Sequence, residues 1–270
     1  MPKQLTLTSF LAPNMLWIYE AVGAYLSRAL GVEIHTRQSA YDPLEDPAVL
    51  EDRLELAFLC GLPLVRRNWV QPSQLVPLVA PVMQAPRYAG QPAYYADLIV
   101  HRDNPATVLA ELAGQRLCYN DLGSNSGYNL LRYRLLQAAH TQSFFSQVLA
   151  SGSHQCSIQW IAQGQADCAA IDSTVLEQAG RDAPELVSQL RVLESLGPCP
   201  MPPVVAAQHL GAPLLEQIRS ALLVANQDLQ LQQVLQQGGI QTYVAVQPED
   251  YTPIGLMHQA AIEAGYETIR

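Results

Sequence analysis

Short apolar strands and amphipathic helices alternate along almost the whole chain, and that alternation restricts the fold more than any other feature. Residues 4–9 alternate polar and apolar side chains as a strand does. Pro13 then opens a helical pattern through Trp17, Ala21, Ala24 and Leu30, which Gly31 ends because glycine tolerates the left-handed C′ conformation. Residues 32–36 read as a second strand and 54–61 as a buried strand ending at glycine. Residues 74–82 are a further apolar segment, expected at a sheet edge because Pro77 cannot donate a ladder hydrogen bond. The style then repeats: strands at 97–101, 115–120 and 167–171 are interleaved with helical patterns at 105–114, 128–139, from 155 and from 174. A proline-rich connector, 197–207, runs into a strand, two helices follow, and the tail from 240 to 270 ends in a short helix. Strands separated by helices argue for parallel α/β layers. At 270 residues, one large or two medium units are expected.

Composition narrows the function. Charged residues make up 14% of the chain against roughly 25% in an average domain, and 49% are hydrophobic, enough for a sizeable core. The net charge of −9 and the lack of basic runs remove the electrostatic footprint of a nucleic-acid binder. An anionic ligand must therefore be captured by local donors against the overall field. Lys3 is the sole lysine, which excludes a Walker-type phosphate loop and a pyridoxal Schiff base; no cofactor is expected. Five cysteines at irregular spacing, without C-x-x-C, read as small buried hydrophobes. The start of the sequence lacks the charged-then-apolar pattern of a secretory leader, and no stretch reaches roughly 18 apolar residues. The expected location is cytoplasmic as the sequence stands, or periplasmic if a leader was removed.

The most informative stretch is CYNDLGSNSGYNLLRYRLL, residues 118–136. A strand ends, a Gly/Ser/Asn turn follows, and a helix starts near Ser126. Unpaired N–H groups and the positive end of the dipole make a helix start an anion site. Ser124, Asn125 and Ser126 add side-chain donors, and Gly127 lets a ligand approach the backbone. The same residues also suit an ordinary N-cap on a surface helix. In SGSH, residues 151–154, Ser153 suits an N-cap and puts His154 in a first helical turn, where the dipole disfavours its protonation unless an anion stands in front. A hydrogen-bonded histidine without a ligand is the alternative. Asp172 ends the strand DCAAI, at the end of parallel strands where α/β proteins bind ligands; it also suits an N-cap for the next helix.

The series YYADLIVHRDNP, LAGQRLCYND, GSNSGYN, SGSH and GQADCAAIDS, with LELAFLCGLPLV and the SAYDP segment around Tyr41, resembles the phosphate/phosphite/phosphonate-binding components of ABC importers from about residue 5 to about 245. The resemblance implies a two-lobed type 2 periplasmic-binding-protein-like α/β fold. Each lobe would hold a mixed, mostly parallel sheet flanked by helices, with two hinge strands between them. The expected division is 1–93 plus 204–270 for one lobe and 94–203 for the other. By the same resemblance, Ser124, Asn125, Ser126 and the Gly127/Tyr128 backbone would hold the phosphorus-borne oxygens with His154. Tyr41 and Tyr94 would close on the ligand, and Asp172 would face its variable group. The protein would be a monomer that binds a small oxyanion for an ABC permease or a sensor. Asn125 stands where the family more often has threonine or serine, which changes the pocket shape.

Enzyme readings are weaker. Ser126, His154 and Asp172 supply the residue types of a serine hydrolase, but Asn125 occupies the centre of what would be the G-x-S-x-G elbow. No H-E-x-x-H or cysteine–histidine cluster suggests a metal, and no G-x-G-x-x-G follows a strand. The remaining alternative is a cytoplasmic enzyme of small-molecule or cofactor metabolism on the same two-lobed fold.

Overall fold

The computed structural model describes residues 2–270, and the chain divides into two compact units. One is Met1–Ala93 with Pro200–Thr252; the other is Tyr94–Cys199 with Pro253–Arg270. In chain order the first unit begins with β1 (Gln4–Ser9), α1 (Leu16–Leu30), β2 (Glu33–Gln38), α2 (Pro47–Leu50), β3 (Leu56–Phe58), α3 (Gly61–Val70) and β4 (Leu75–Met83). The second contains β5 (Ala93–His101), β6 (Arg116–Tyr119), α4 (Leu130–Gln137), β7 (Gln147–Ala150), α5 (His154–Ala162), β8 (Cys168–Asp172), α6 (Ser173–Asp182), α7 (Pro184–Val187) and β9 (Leu190–Pro200). The chain returns with β10 (Val204–Ala207), α8 (Ala212–Leu223), α9 (Leu229–Gln237), β11 (Ile240–Ala245) and α10 (Thr252–Glu263).

The first unit is a six-stranded sheet in the order β11-β4-β10-β3-β1-β2. Strands β2, β1 and β3 run parallel, whereas β10 is antiparallel to β3 and β4, and β11 is antiparallel to β4. The sheet is mixed as expected, but antiparallel pairing is more frequent in this unit than "mostly parallel" implies, because β10 and β11 return after the excursion through the second unit. Gly31 caps α1 at φ 66°, the left-handed conformation read from the sequence. Strand β4 is not an edge: it lies between β11 and β10. Pro77 is accommodated opposite Val205, where the register shifts between Val204 and Val205 and the regular ladder is already interrupted.

The second unit holds a five-stranded sheet in the order β7-β6-β8-β5-β9. Strands β7, β6 and β8 are mutually parallel, and β5 is antiparallel to β8. On one face Ile99, Cys118, Ala169 and Ile171 of the sheet pack with Ile158 and Ile161 of α5. Burying each such isoleucine contributes on the order of 1.5–3 kcal/mol. Cys118 and Cys168 serve here as small apolar side chains, and burial pushes the Cys118 thiol up to about 11. The segment expected as a helix at 105–114 makes only a short 3-10 turn, Leu109–Leu112.

The C-terminal residues correct the expected division. Residues 253–270 belong with 94–199 instead of with 1–93, so the chain passes between units three times, at 93/94, 199/200 and 252/253. The cause is local. Tyr266 and Ile269 are buried, the Ile269 N–H donates to Tyr128 Oη at 2.9 Å, and the Phe144 N–H donates to Arg270 O at 2.7 Å. The passage at 199/200 also precedes the expected 203/204, since Met201 donates to Pro92 O at 2.8 Å inside the first unit.

Candidate functional site

Three parallel strands of the second unit end at the same edge of their sheet, and a helix starts after each. Strand β7 leads through Ser153 into α5, β6 leads through Ser124 into a turn that continues as α4, and β8 leads through Asp172 into α6. Each of these residues caps its helix with a side-chain oxygen. Ser124 Oγ accepts from the Gly127 N–H at 2.9 Å, Ser153 Oγ from Cys156 at 3.1 Å, and Asp172 Oδ1 from Thr174 at 2.9 Å. A cap satisfies one of the four N–H groups that a helix start leaves without an internal partner, so the rest of each first turn keeps donor capacity. Parallel strand order thus brings three positive dipole ends to one edge.

The turn after Ser124 is wider than an α-helix. Asn125–Asn129 winds as a π-helical turn, with Asn129 N–H bonded to Ser124 O at 3.1 Å, and such turns concentrate at functional sites. All five of its residues are buried. Asn125 Nδ2 donates to Tyr94 Oη at 2.7 Å, and Asn125 Oδ1 accepts from Asn129 Nδ2 at 2.9 Å. Both partners of the amide are thereby fixed, which holds the turn's first residue in one orientation. Gly127 is required by space: a Cβ there would overlap the side-chain oxygen of Asn120.

Ser126 Oγ lies 3.1 Å from His154 Nε2, and Ser124 Oγ lies 3.4 Å from Ser126 Oγ. The starts of two helices, 28 residues apart in sequence, are therefore joined by side chains. Burial pushes His154 down to about 4, so the imidazole is neutral at pH 7, in keeping with its place at a positive helix end. Its Nδ1 is buried and meets no partner among the described residues. Burial pushes Asp172 up to about 6 despite the hydrogen bonds from Thr174, with the nearby Asp97 adding to the rise. Strand β8 pairs Asp172 with Ala96 and Ile171 with Asp97, and Asp97 accepts from Ser195 Oγ at 2.6 Å. The cluster therefore offers neutral hydroxyl and imidazole donors with one carboxyl close to its titration point. Such a set can hold a compact oxyanion without a lysine.

Six of the nine residues singled out from the sequence meet in this cluster or form its caps: Ser124, Asn125, Ser126, Gly127, His154 and Asp172. Tyr128 contributes differently from its neighbours. Its ring packs edge-on against Tyr119 at 4.9 Å and its hydroxyl faces the C-terminal tail, leaving only its backbone to the turn. Tyr94 is buried and its hydroxyl accepts from Asn125 Nδ2, a contact that orients that amide. Tyr41 lies in the first unit and is 62% exposed. The hydrolase arrangement does not form, since Asp172 Oδ1 is engaged by Thr174 and no acid orients the His154 ring among the described residues. No group of three His, Cys, Asp or Glu side chains there could hold a metal.

Sequence reading missed Asn129 and Arg132. Arg132 is buried and its Nη2 donates to Asn129 Oδ1 at 2.9 Å. The spacing Asn125, Asn129, Arg132 places all three on one helical face and was a usable signal.

The profile of a family described as the periplasmic phosphonate substrate-binding proteins of ABC transporters matches residues 6–251. No curated protein matches the chain. Among solved structures, a binding-protein component of an ABC phosphonate transporter from Pseudomonas aeruginosa superposes with a TM-score of 0.84 at 17% identity, covering 98% of this chain and 88% of that one. PhnD1 of Prochlorococcus marinus, solved with methylphosphonate, gives 0.83 at 18% identity over 97% and 100% of the two chains. A Xanthomonas citri protein solved with ATP gives 0.71 at 15% identity over 97% and 98%. At these identities the superpositions speak for the fold.

Proposed function

The chain belongs to the family of periplasmic phosphonate substrate-binding proteins of ABC transporters, and from that premise we propose that it binds a small phosphorus oxyanion at the converging helix starts of its second unit. The observation that carries this reading is the junction of Ser126 and His154, which turns two separate helix N-termini into one donor set. A methylphosphonate-sized anion fits the chemistry: three oxygens to be satisfied, and Ser124, His154 and first-turn N–H groups to satisfy them, with Ser126 orienting the imidazole. With Ser126 O–H donating to Nε2, the buried Nδ1–H of His154 is left to reach a ligand oxygen. Asp172, held close to its titration point, faces the ligand's variable group, where it accepts from a P–OH or an amine.

Tyr41 is assigned to the ligand on the family resemblance alone, and Tyr41→Ala tests that assignment by titration. Binding serves uptake through a permease or sensing, and catalysis has no part in it. No disulfide joins cysteines among the described residues, which favours a reducing compartment, whereas the family description is periplasmic. Fractionation of native cells decides between them.

A thermal-shift screen against methylphosphonate, larger phosphonates, phosphite, phosphate and sulfonates tests the function directly. The reading expects a rise in melting temperature with at least one phosphorus oxyanion and no chemical turnover of it. A product released from any of them would favour an enzyme on this fold instead.

A further inference from the structure

The π-helical turn is held from behind by a chain of hydrogen bonds that ends in the C-terminal segment. Asn125 bonds to Asn129, Asn129 accepts from Arg132 Nη2, and the same Nη2 reaches His258 Nδ1 on α10 at 2.7 Å. Arg132 Nη1 donates to Glu267 O at 2.6 Å. A guanidinium can only donate, so His258 Nδ1 is the acceptor and its proton sits on Nε2. One residue away from Asn129, Tyr128 is gripped by the same segment through the Ile269 N–H at 2.9 Å, and the Arg132 guanidinium lies 5.8 Å from the centre of the Tyr128 ring. Arg132 is thus a buried cation that simultaneously reaches the ligand turn, α10 and the tail.

We propose that Arg132 and His258 are positioning residues for anion binding: residues 253–270 act through them as a brace that sets the Asn125–Asn129 turn in its binding geometry. The proposal rests on the anion reading above, though the brace itself exists without ligand. A planar fork suits this task because its donors point in fixed directions, so displacing one partner displaces the others. The wide i→i+5 turn gains little from its own backbone bonds and needs such outside support. His258 is only half-buried, so its replacement need not unfold the protein.

The test compares the parent with His258→Leu, His258→Gln and Arg132→Met. Amide hydrogen exchange of residues 125–130 is measured without ligand, and methylphosphonate, phosphite and inorganic phosphate are each titrated calorimetrically. The brace predicts exchange at least tenfold faster in that turn for His258→Leu and Arg132→Met, with β5 and β8 unchanged. It also predicts about tenfold weaker anion binding, and near-parent behaviour for His258→Gln, whose amide oxygen can accept from Arg132. Parent-like exchange in both disruptive variants overturns the brace. Faster exchange with unaltered affinity overturns its link to binding. If no anion binds the parent, the proposed function fails, while the exchange data still decide whether the brace holds the turn.

Discussion

Ser126 Oγ and His154 Nε2 stand 3.1 Å apart, joining the first turns that follow β6 and β7. Each belongs to a helix that would carry an anion site of its own, and together they confine that site to one point on the sheet edge. This arrangement follows from strand order: β7 neighbours β6 in parallel, so their carboxyl ends and the helices after them are adjacent.

Gly127→Ala should harm both stability and binding. The new Cβ would overlap the Asn120 side chain in a fully buried turn, and overpacking of this kind costs about 1–3 kcal/mol. Chemical denaturation should show that loss, and adding Asn120→Ala should recover most of it. An unchanged midpoint for Gly127→Ala alone would mean that the turn is looser than it stands here.

Tyr94→Phe should destabilise the second unit by about 1–2 kcal/mol, since it removes the oxygen that accepts from Asn125 Nδ2 in a buried site. Anion affinity should fall with it, because Asn125 opens the turn. Denaturation and calorimetry on the same preparations separate the two effects.

The pH dependence of ligand-free stability should show two opposed groups. Asp172 is raised to about 6, so its contribution is present below about 4 and is lost as pH rises through 6. His154 is lowered to about 4, so its contribution is present above about 6.5 and is lost as pH falls through 4. In the parent the two slopes largely cancel. Asp172→Asn keeps a capping oxygen for Thr174 but leaves only the histidine slope, so its stability relative to the parent should climb by about 3 kcal/mol from pH 4 to 6.5. His154→Gln should trend the opposite way. Parallel curves for all three proteins would contradict the burial of these groups.

Local signals carried most of the fold into the sequence. Gly31 ends α1 where glycine was expected to, and the Ser124, Ser153 and Asp172 caps are side chains whose chemistry is readable without a structure. Strands β7, β9 and β11 were not read, because their residues are largely half-exposed and lack a clean apolar alternation. Pro77 pointed to an edge because the register shift that accommodates it lies on another strand, more than a hundred residues away. The brace was illegible for the same reason. Arg132 meets His258 across 126 residues and Glu267 across 135, and no local pattern encodes such a partner. Tyr94 was assigned to the ligand by the resemblance alone, and no local pattern encodes its bond to Asn125.

The most direct test of the anion site is a calorimetric titration of the parent and His154→Ala with whichever phosphorus oxyanion the screen identifies. Losing one donor to a charged ligand costs roughly 1.5–3 kcal/mol, so the variant should bind about ten- to a hundredfold more weakly while remaining folded. Equal affinity for parent and variant would contradict the account, because the anion would then be held somewhere other than the junction of Ser126 and His154.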